Sequence, residues 1–105
     1  MEIYEASELF SSLSQETRLK VFKLLTKYGN DGLAAGKIAA QLKIPDNTLS
    51  FHLSHMSKVG LVSSKKNGRS LTYFANTDLM TKLVCYLKEN CCIYEKASKS
   101  GQRSC

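Results

Sequence analysis

Two features are missing from this sequence of 105 residues: a long apolar run and a basic start. No stretch approaches the roughly 18–20 apolar residues that a membrane-spanning helix needs. The opening MEIYEASELF carries acidic residues where a secretory signal would carry basic ones. We therefore expect a cytoplasmic protein with no membrane partner, in a compartment that keeps thiols reduced.

The motifs of common enzyme classes are missing as well. The sequence has no Cys-x-x-Cys pair, no glycine-rich phosphate loop, and no Ser/His/Asp or paired-carboxylate signature. Its two histidines, His52 and His55, are one helical turn apart, but no neighbouring cysteine or carboxylate completes a metal site around them. We therefore expect neither an enzyme nor a catalytic cofactor.

Acidic residues are outnumbered by basic ones. Fifteen Lys and Arg against nine Asp and Glu give a formal net charge of +6. Such a balance favours a polyanionic partner, either nucleic acid or an anionic membrane surface, although a solvated basic surface without any partner has the same composition. The sequence has no basic amphipathic stretch and no lipidation signal, so we favour DNA over a membrane.

Apolar residues recur at helical spacing in five segments, and the chain length fits one domain. The predicted helices are a first over residues 2–12, a second from an N-cap at Ser14 to a stop at Gly29, a short third carrying Leu33, Ile38 and Leu42, a fourth that starts at Pro45, and a fifth from near Thr77 at least to Cys91.

Between the fourth and fifth helices, Asn67-Gly68 lies between alternating flanks, which predicts a β-hairpin with a type I′ turn. This order of elements predicts a mainly α fold with a β-hairpin wing: a winged helix-turn-helix with an additional terminal helix, α1-α2-α3-α4-β-β-α5. We expect residues 1–95 to form this DNA-binding and dimerisation domain, and residues 96–105 a flexible tail that contains a cysteine.

The fourth helix and the hairpin carry the residues that could contact DNA. A helix-turn-helix places its second helix in the major groove, and a cationic wing can follow the phosphate backbone. A solvated helix face and a charged edge strand are the plainer interpretations of the same residues. The predicted DNA-binding residues are Asn47, Thr48, Ser50, Phe51, His52, Ser54 and His55 on the helix, and Lys65, Lys66 and Arg69 on the wing.

Three of the four cysteines lie in the last fifteen residues, CCIYEKASKSGQRSC. On an intact helix, Cys85 and Cys92 share a face but lie about 10 Å apart along the axis, and the side chains of Cys91 and Cys92 diverge by about 100°. The adjacent pair can converge if the last turn opens. We therefore predict Cys91, Cys92 and Cys105 as metal ligands, within one chain or across a dimer, and Cys85 as a core or interface thiol.

Soft thiolates select soft ions, and three of them suit trivalent arsenic or antimony. A two-thiol site would suit a monomethylated arsenic species. Nearby lysines favour the thiolate form. Inert packing and an oxidant-induced disulfide such as Cys91–Cys105 are the alternatives.

Three segments, LSQETRLKVFKLL, TLSFHLSHMSKVGLV and KKNGRSLTYFA, resemble in their order the signatures of the ArsR/SmtB family of bacterial metal- and metalloid-sensing repressors. The resemblance covers roughly residues 5–92. It implies a homodimer, paired through the first and last helices, that binds a palindromic double-stranded operator and leaves it when an inducer binds.

The chain departs from that family at several positions. Ala34-Ala35-Gly36 stands where a Cys-x-Cys-like motif is frequent, and Met80 where a zinc-binding histidine would follow Asp78. Phe51 replaces a frequent histidine, and Lys43 a frequent glycine, so we expect a strained backbone at Lys43. The terminal cysteines resemble those of arsenite-responsive members. The sequence thus predicts an arsenic(III)-responsive repressor, with a thiol-based redox-sensing repressor of the same fold as the alternative.

Overall fold

The computed structural model describes residues 1–96. They form five α-helices, a single 3-10 turn and three β-strands. The elements are α1 (Ile3–Leu13), α2 (Glu16–Tyr28), the 3-10 turn (Gly29–Asp31), β1 (Leu33–Ala34), α3 (Ala35–Leu42), α4 (Asp46–Lys58), β2 (Val62–Asn67), β3 (Ser70–Ala75) and α5 (Thr77–Lys88). The predicted winged helix-turn-helix is confirmed.

The core lies between α2, α3, α4 and the sheet, with α1 and α5 contributing one face each. Each fully buried aliphatic side chain contributes roughly 1.5–3 kcal/mol relative to an exposed one. The inward face of α4 is the predicted one, because its apolar residues recur at spacings of three and four. The largest fully buried side chains include Leu9, Leu25, Ile38, Leu49, Leu53, Met56, Leu61 and Leu83.

The turn between α3 and α4 is tight. Lys43 adopts a left-handed conformation, with φ 57° and ψ 50°, which confirms the expected strain and costs a non-glycine residue on the order of 1 kcal/mol. The amide of Ile44 donates to the carbonyl of Ala39 at 3.0 Å and closes the turn. Pro45 then fixes φ at −59° immediately before the first residue of α4.

The three strands form an antiparallel sheet in the order β1-β3-β2. β1 was not predicted: Leu33, assigned from sequence to the third helix, instead pairs with Tyr73, and Ala34 pairs with Thr72. The preceding Gly32 has φ 66°, and a Cβ there would come within 2.6 Å of the Phe74 ring. Only glycine fits this approach of the chain to the sheet.

The hairpin turn differs from the predicted one. Asn67 pairs with Ser70, so the two loop residues are Gly68 and Arg69 rather than Asn67 and Gly68. Gly68 has φ 65° while Arg69 has no positive φ. This pattern is that of a type II′ turn, not of the predicted type I′, which needs positive φ at both central residues.

Helix α5 ends at Lys88, not at Cys91 as predicted. The backbone leaves the helix at Glu89, where ψ is 131°, and Asn90 follows with φ 66°. At the other end of α5, the side chain of Asn76 accepts from the amide of Leu79 and donates to the carbonyl of Gly60. The loop after α4 and the start of α5 are therefore held by one side chain.

The first two helices each begin one residue later than predicted. α1 covers residues 3–13, and the N-cap of α2 is Gln15, whose side chain accepts from the amide of Arg18 at 2.9 Å. Ser14, the predicted cap, instead donates to the carbonyl of Ser11. Within residues 1–96, no helix is both long and apolar enough to cross a lipid bilayer. Most of the predicted tail, residues 97–105, lies outside the described residues.

Candidate DNA interface and thiol pair

The outward face of α4 is a stripe of four exposed residues: Asn47, Phe51, Ser54 and Lys58. Their spacing of four, three and four residues places them along one side of the helix, opposite the buried Leu49 and its neighbours. Lys58 was not among the predicted residues, although the same spacing continued from Ser54 leads to it. The stripe combines an amide, an aromatic ring, a hydroxyl and a cation.

Thr48 and Ser50, also predicted to contact DNA, are exposed on the two flanks of this stripe. The amide of Thr48 donates to the Asn47 Oδ1 at 2.9 Å, which orients the Asn47 side chain at the start of the helix. Small polar side chains of this kind suit contacts to phosphates and base edges.

His52 was predicted to face the groove, but its side chain is only 8 % exposed. Its Nδ1 lies 3.3 Å from the Nη1 of Arg18, on α2. A guanidinium only donates, so His52 accepts through Nδ1 and is neutral in this arrangement. Burial lowers the pKa of His52, and the positive charges of Arg18 and His55 lower it further.

His55 is half-buried and also turns toward the protein. Its Nδ1 is hydrogen-bonded to the hydroxyl of Ser12, at the end of α1, over 3.1 Å. The Ser12 carbonyl accepts from the Nε of Arg18 at 2.8 Å, so a continuous set of hydrogen bonds runs from α1 through α2 to α4. We call Ser12, Arg18, His52 and His55 the junction cluster.

Neither Ser12 nor Arg18 was identified from the sequence. They precede their histidine partners by 43 and 34 residues, and no local pattern connects residues at that separation. The junction cluster also explains why the expectation of two outward histidines is not met. Both ring Nδ1 atoms have partners inside the protein, and the stripe of four residues is left to face outward.

Three predicted cationic residues, Lys65, Lys66 and Arg69, are exposed on the wing. Lys65 and Lys66 are adjacent in β2 and therefore point to opposite faces of the hairpin. Arg69 lies in the two-residue loop at the tip. The two lysines therefore lie on different faces of the hairpin, and a DNA molecule against one face can be contacted by only one of them.

The adjacent cysteines converge just beyond α5. The Sγ atoms of Cys91 and Cys92 are 3.1 Å apart, and both thiols are free and exposed. Left-handed conformations at Asn90 and Cys92, with φ 66° and 67°, break the helical path along which the side chains would diverge. The chain is therefore no longer helical at the cysteine pair, which is the condition under which the two side chains were expected to converge.

The pKa of the Cys92 thiol is raised, first by its hydrogen bond with Cys91 and then by a hydrogen bond with Glu95. The neighbouring lysines therefore do not dominate, contrary to the expectation from sequence. Cys85 is half-buried. Cys105 lies outside the described residues, and within residues 1–96 no group of three or more His, Cys, Asp or Glu side chains could hold a metal ion.

Helices α1 and α5 expose apolar side chains that the core of this single chain leaves uncovered. On α1, Ile3 and Tyr4 are 72 % and 75 % exposed. On α5, Leu87 is 62 % exposed, and Val84 lies three residues earlier on the same side. Exposed apolar side chains on these two helices make both faces candidates for an interface.

Comparisons with known proteins agree with this architecture. Residues 13–64 match the family model described as a helix-turn-helix domain. An uncharacterised HTH-type transcriptional regulator of Methanocaldococcus jannaschii is 34% identical over 90 residues, which cover 85% of this chain and 99% of the relative.

Two solved structures are also similar to the chain. An ArsR-like transcriptional regulator from Rhodococcus sp. RHA1 is 27% identical, with a TM-score of 0.74 over 87% of this chain and 83% of that one. A structure described as a possible transcriptional regulator for arsenical resistance is 23% identical, with a TM-score of 0.66 over 78% of this chain and 81% of that one. The second likeness concerns the fold alone.

Proposed function

Because this chain belongs to the helix-turn-helix transcriptional regulators of ArsR-like fold, we propose that it is an arsenic(III)-responsive repressor. It binds operator DNA as a homodimer and dissociates when C-terminal thiols bind trivalent arsenic or antimony. The DNA interface is the outward stripe of α4 with its flanks, together with the basic wing. The ligands are Cys91, Cys92 and Cys105.

The observation that carries this proposal is the distance of 3.1 Å between the Sγ atoms of Cys91 and Cys92. An ion that holds each sulfur at about 2.3 Å, the length of a Zn–S bond, needs the two sulfurs within about 4.6 Å of each other. The pair meets this requirement, and its thiols are free and exposed. Thiolates are the ligands that soft ions prefer.

The exchange at arsenic balances without an oxidant. Each As–S bond that forms replaces one As–O bond, and the hydroxide leaves with the thiol proton as water. Two sulfurs complete the exchange for a trivalent arsenic that carries one carbon substituent, whereas arsenite has a third position for Cys105. The number of sulfurs per bound arsenic therefore distinguishes the two inducers.

The exposed apolar residues of α1 and α5 support the homodimer. Covering Ile3, Tyr4, Val84 and Leu87 with the same surface of a second copy removes these side chains from water. The cysteine pair follows α5 by three residues, so an ion bound there lies next to the proposed dimer surface. A coupling of about 1–3 kcal/mol between the two sites lowers operator affinity by roughly 5–150-fold.

The test measures binding to DNA selected in vitro by the purified protein, with and without arsenite. We expect release of wild type and no release of the Cys91→Ser/Cys92→Ser variant. A chain ending at Lys96 keeps the pair without Cys105, and a chain ending at Asn90 lacks all three cysteines. Release of the chain ending at Asn90 by arsenite would contradict the proposed site.

X-ray absorption on the arsenite-bound protein counts the sulfur ligands, with three expected for wild type and two for the chain ending at Lys96. A parallel titration with hydrogen peroxide separates the redox alternative. Release by peroxide but not by arsenite would show that the thiols sense oxidants instead.

A further inference from the structure

We propose that Phe51 recognises the C5 methyl group of a thymine in the major groove, and that it determines part of the sequence specificity. This inference rests on operator binding through α4 and is independent of the response to arsenic. Phe51 is therefore assigned as a base-contacting residue, while His52 and Arg18 are positioning residues behind it.

Phe51 occupies a central position on the outward face of α4. It lies in the middle of the outward stripe, four residues after Asn47 and three before Ser54, with Lys58 one turn further on. Its side chain is 66 % exposed, and it is the only apolar residue of the stripe. A protein partner that covered this ring would also have to cover an amide, a hydroxyl and an ammonium group, whereas DNA offers polar groups to each of these.

The chemistry of the base edges favours thymine as the contact of this ring. Every base edge in the major groove presents hydrogen-bond donors or acceptors, and thymine alone adds an apolar C5 methyl group beside its O4 acceptor. A phenyl ring can make no hydrogen bond to a guanine, cytosine or adenine edge. A ring in the centre of the stripe therefore gains most when it removes a thymine methyl group from water.

The Phe51 ring is held in place by its neighbour on the helix. The rings of Phe51 and His52 pack edge to face, with centroids 5.5 Å apart and planes at 68°. His52 is buried and accepts from Arg18, which in turn donates to the Ser12 carbonyl. A ring supported in this way loses little freedom on binding, which favours a defined contact over a diffuse one.

The experiment replaces each thymine of the selected DNA site, one at a time, by deoxyuridine, which removes only the methyl group. For wild type we expect one position in each half-site at which the replacement weakens binding about fourfold, the value for one buried carbon group. Replacement in both half-sites of a palindrome should weaken it about sixteenfold. Phe51→Ala should bind the thymine site more weakly and be insensitive to deoxyuridine at that position.

Ser54→Ala is the matched control, since it changes the next residue of the stripe and should keep the full sensitivity to deoxyuridine. Thermal unfolding of Phe51→Ala should match wild type, because the ring is exposed. Equal sensitivity of wild type and Phe51→Ala, or no sensitive thymine in a site that wild type binds tightly, would overturn the assignment of Phe51. Failure to select any DNA sequence would overturn it together with the operator-binding function.

Discussion

The Nη1 of Arg18 lies 3.3 Å from the Nδ1 of His52 and joins the first turn of α2 to the buried side of α4. Arg18 also donates to the carbonyl of Ser12, the last turn of α1. Helix α1, proposed to pair with a second copy, and helix α4, proposed to enter the groove, are therefore connected in two ways. Ser12 bonds directly to His55, and Arg18 bridges the Ser12 carbonyl to His52.

Acidification should destabilise the protein through His52. The pKa of His52 is lowered in the fold by burial, Arg18 and His55, while in the unfolded chain it is about 6.5. Above that value neither state binds the proton. As the pH falls below about 6.5 the unfolded state gains protons first, so the free energy of unfolding decreases. Urea unfolding between pH 5 and 8 measures this slope.

His52→Gln, which keeps an acceptor for Arg18, should reduce that slope. An unchanged pH dependence in His52→Gln would mean that other groups cause it.

Arg18→Ala should destabilise the fold and weaken DNA binding together. The change removes two hydrogen bonds of a charged group, worth about 1.5–3 kcal/mol each at most, and leaves His52 buried without its donor. Chemical unfolding and operator titration measure the two effects. Lys20→Ala is the control on the same helix, because Lys20 makes only an exposed ion pair with Glu16 at 3.6 Å, worth less than about 0.5 kcal/mol. Equal effects of the two variants would contradict a positioning role for Arg18.

Arsenite uptake should accelerate with pH while its affinity stays nearly constant. The thiolate is the attacking species, and hydrogen bonds with Cys91 and with the Glu95 carboxylate raise the pKa of the Cys92 thiol. Below that pKa the thiolate fraction, and thus the rate, rises close to tenfold per pH unit. The equilibrium exchange releases water and no protons, in contrast to binding of a divalent metal by thiols.

Stopped-flow measurements at pH 6 to 8 give the rate, and titrations at the same pH values give the affinity. Glu95→Gln should bind arsenite faster at a given pH, because it lacks the carboxylate that raises the pKa of Cys92. A rate that does not depend on pH would exclude thiolate attack as the controlling step.

Leu87→Glu should convert the protein to monomers. The side chain is 62 % exposed in the single chain, and a carboxylate there would lose its hydration if the surface were covered by a second copy. Sedimentation velocity measures the change. Leu19→Glu, at an exposed leucine of α2, should leave the oligomeric state of wild type unaltered. Dimers of unchanged stability for Leu87→Glu would place the interface elsewhere.

Alanine at Lys65 or Lys66 should change the salt dependence of operator binding unequally. The two side chains point to opposite faces of the hairpin, so only one faces the DNA. Loss of one phosphate contact from each subunit should reduce the slope of log K against log salt by about 2. The other variant, and Lys27→Ala on α2, should retain the wild-type slope. Two equal reductions would contradict a wing that contacts DNA through one face.

The sequence predicted those features of the fold that depend on local signals. The inward positions of α4 follow from spacing and the end of α2 from Gly29, whereas the strained turn at Lys43 was expected only from the resemblance to a family in which glycine is frequent there. β1 was missed because two residues carry no periodicity, and its strand character comes only from pairing with Tyr73 and Thr72. The inward His52 was missed because its partner, Arg18, is 34 residues away.

The candidate site was predictable to the same extent. Helical spacing identified Asn47, Phe51 and Ser54, and adjacency in the sequence identified the cysteine pair. The distance between the two sulfurs was not predictable, because it depends on where α5 ends and on the left-handed backbone at Asn90 and Cys92.

The single carboxamide of Asn76 has its oxygen on the amide of Leu79 and its nitrogen on the carbonyl of Gly60. Helix α5 therefore cannot change direction at its start without either breaking one of these bonds or displacing the backbone that follows α4. A tilt produced at the cysteine end of α5 would therefore pivot about Asn76. It would displace the backbone at Gly60, in the segment that follows the groove-facing α4.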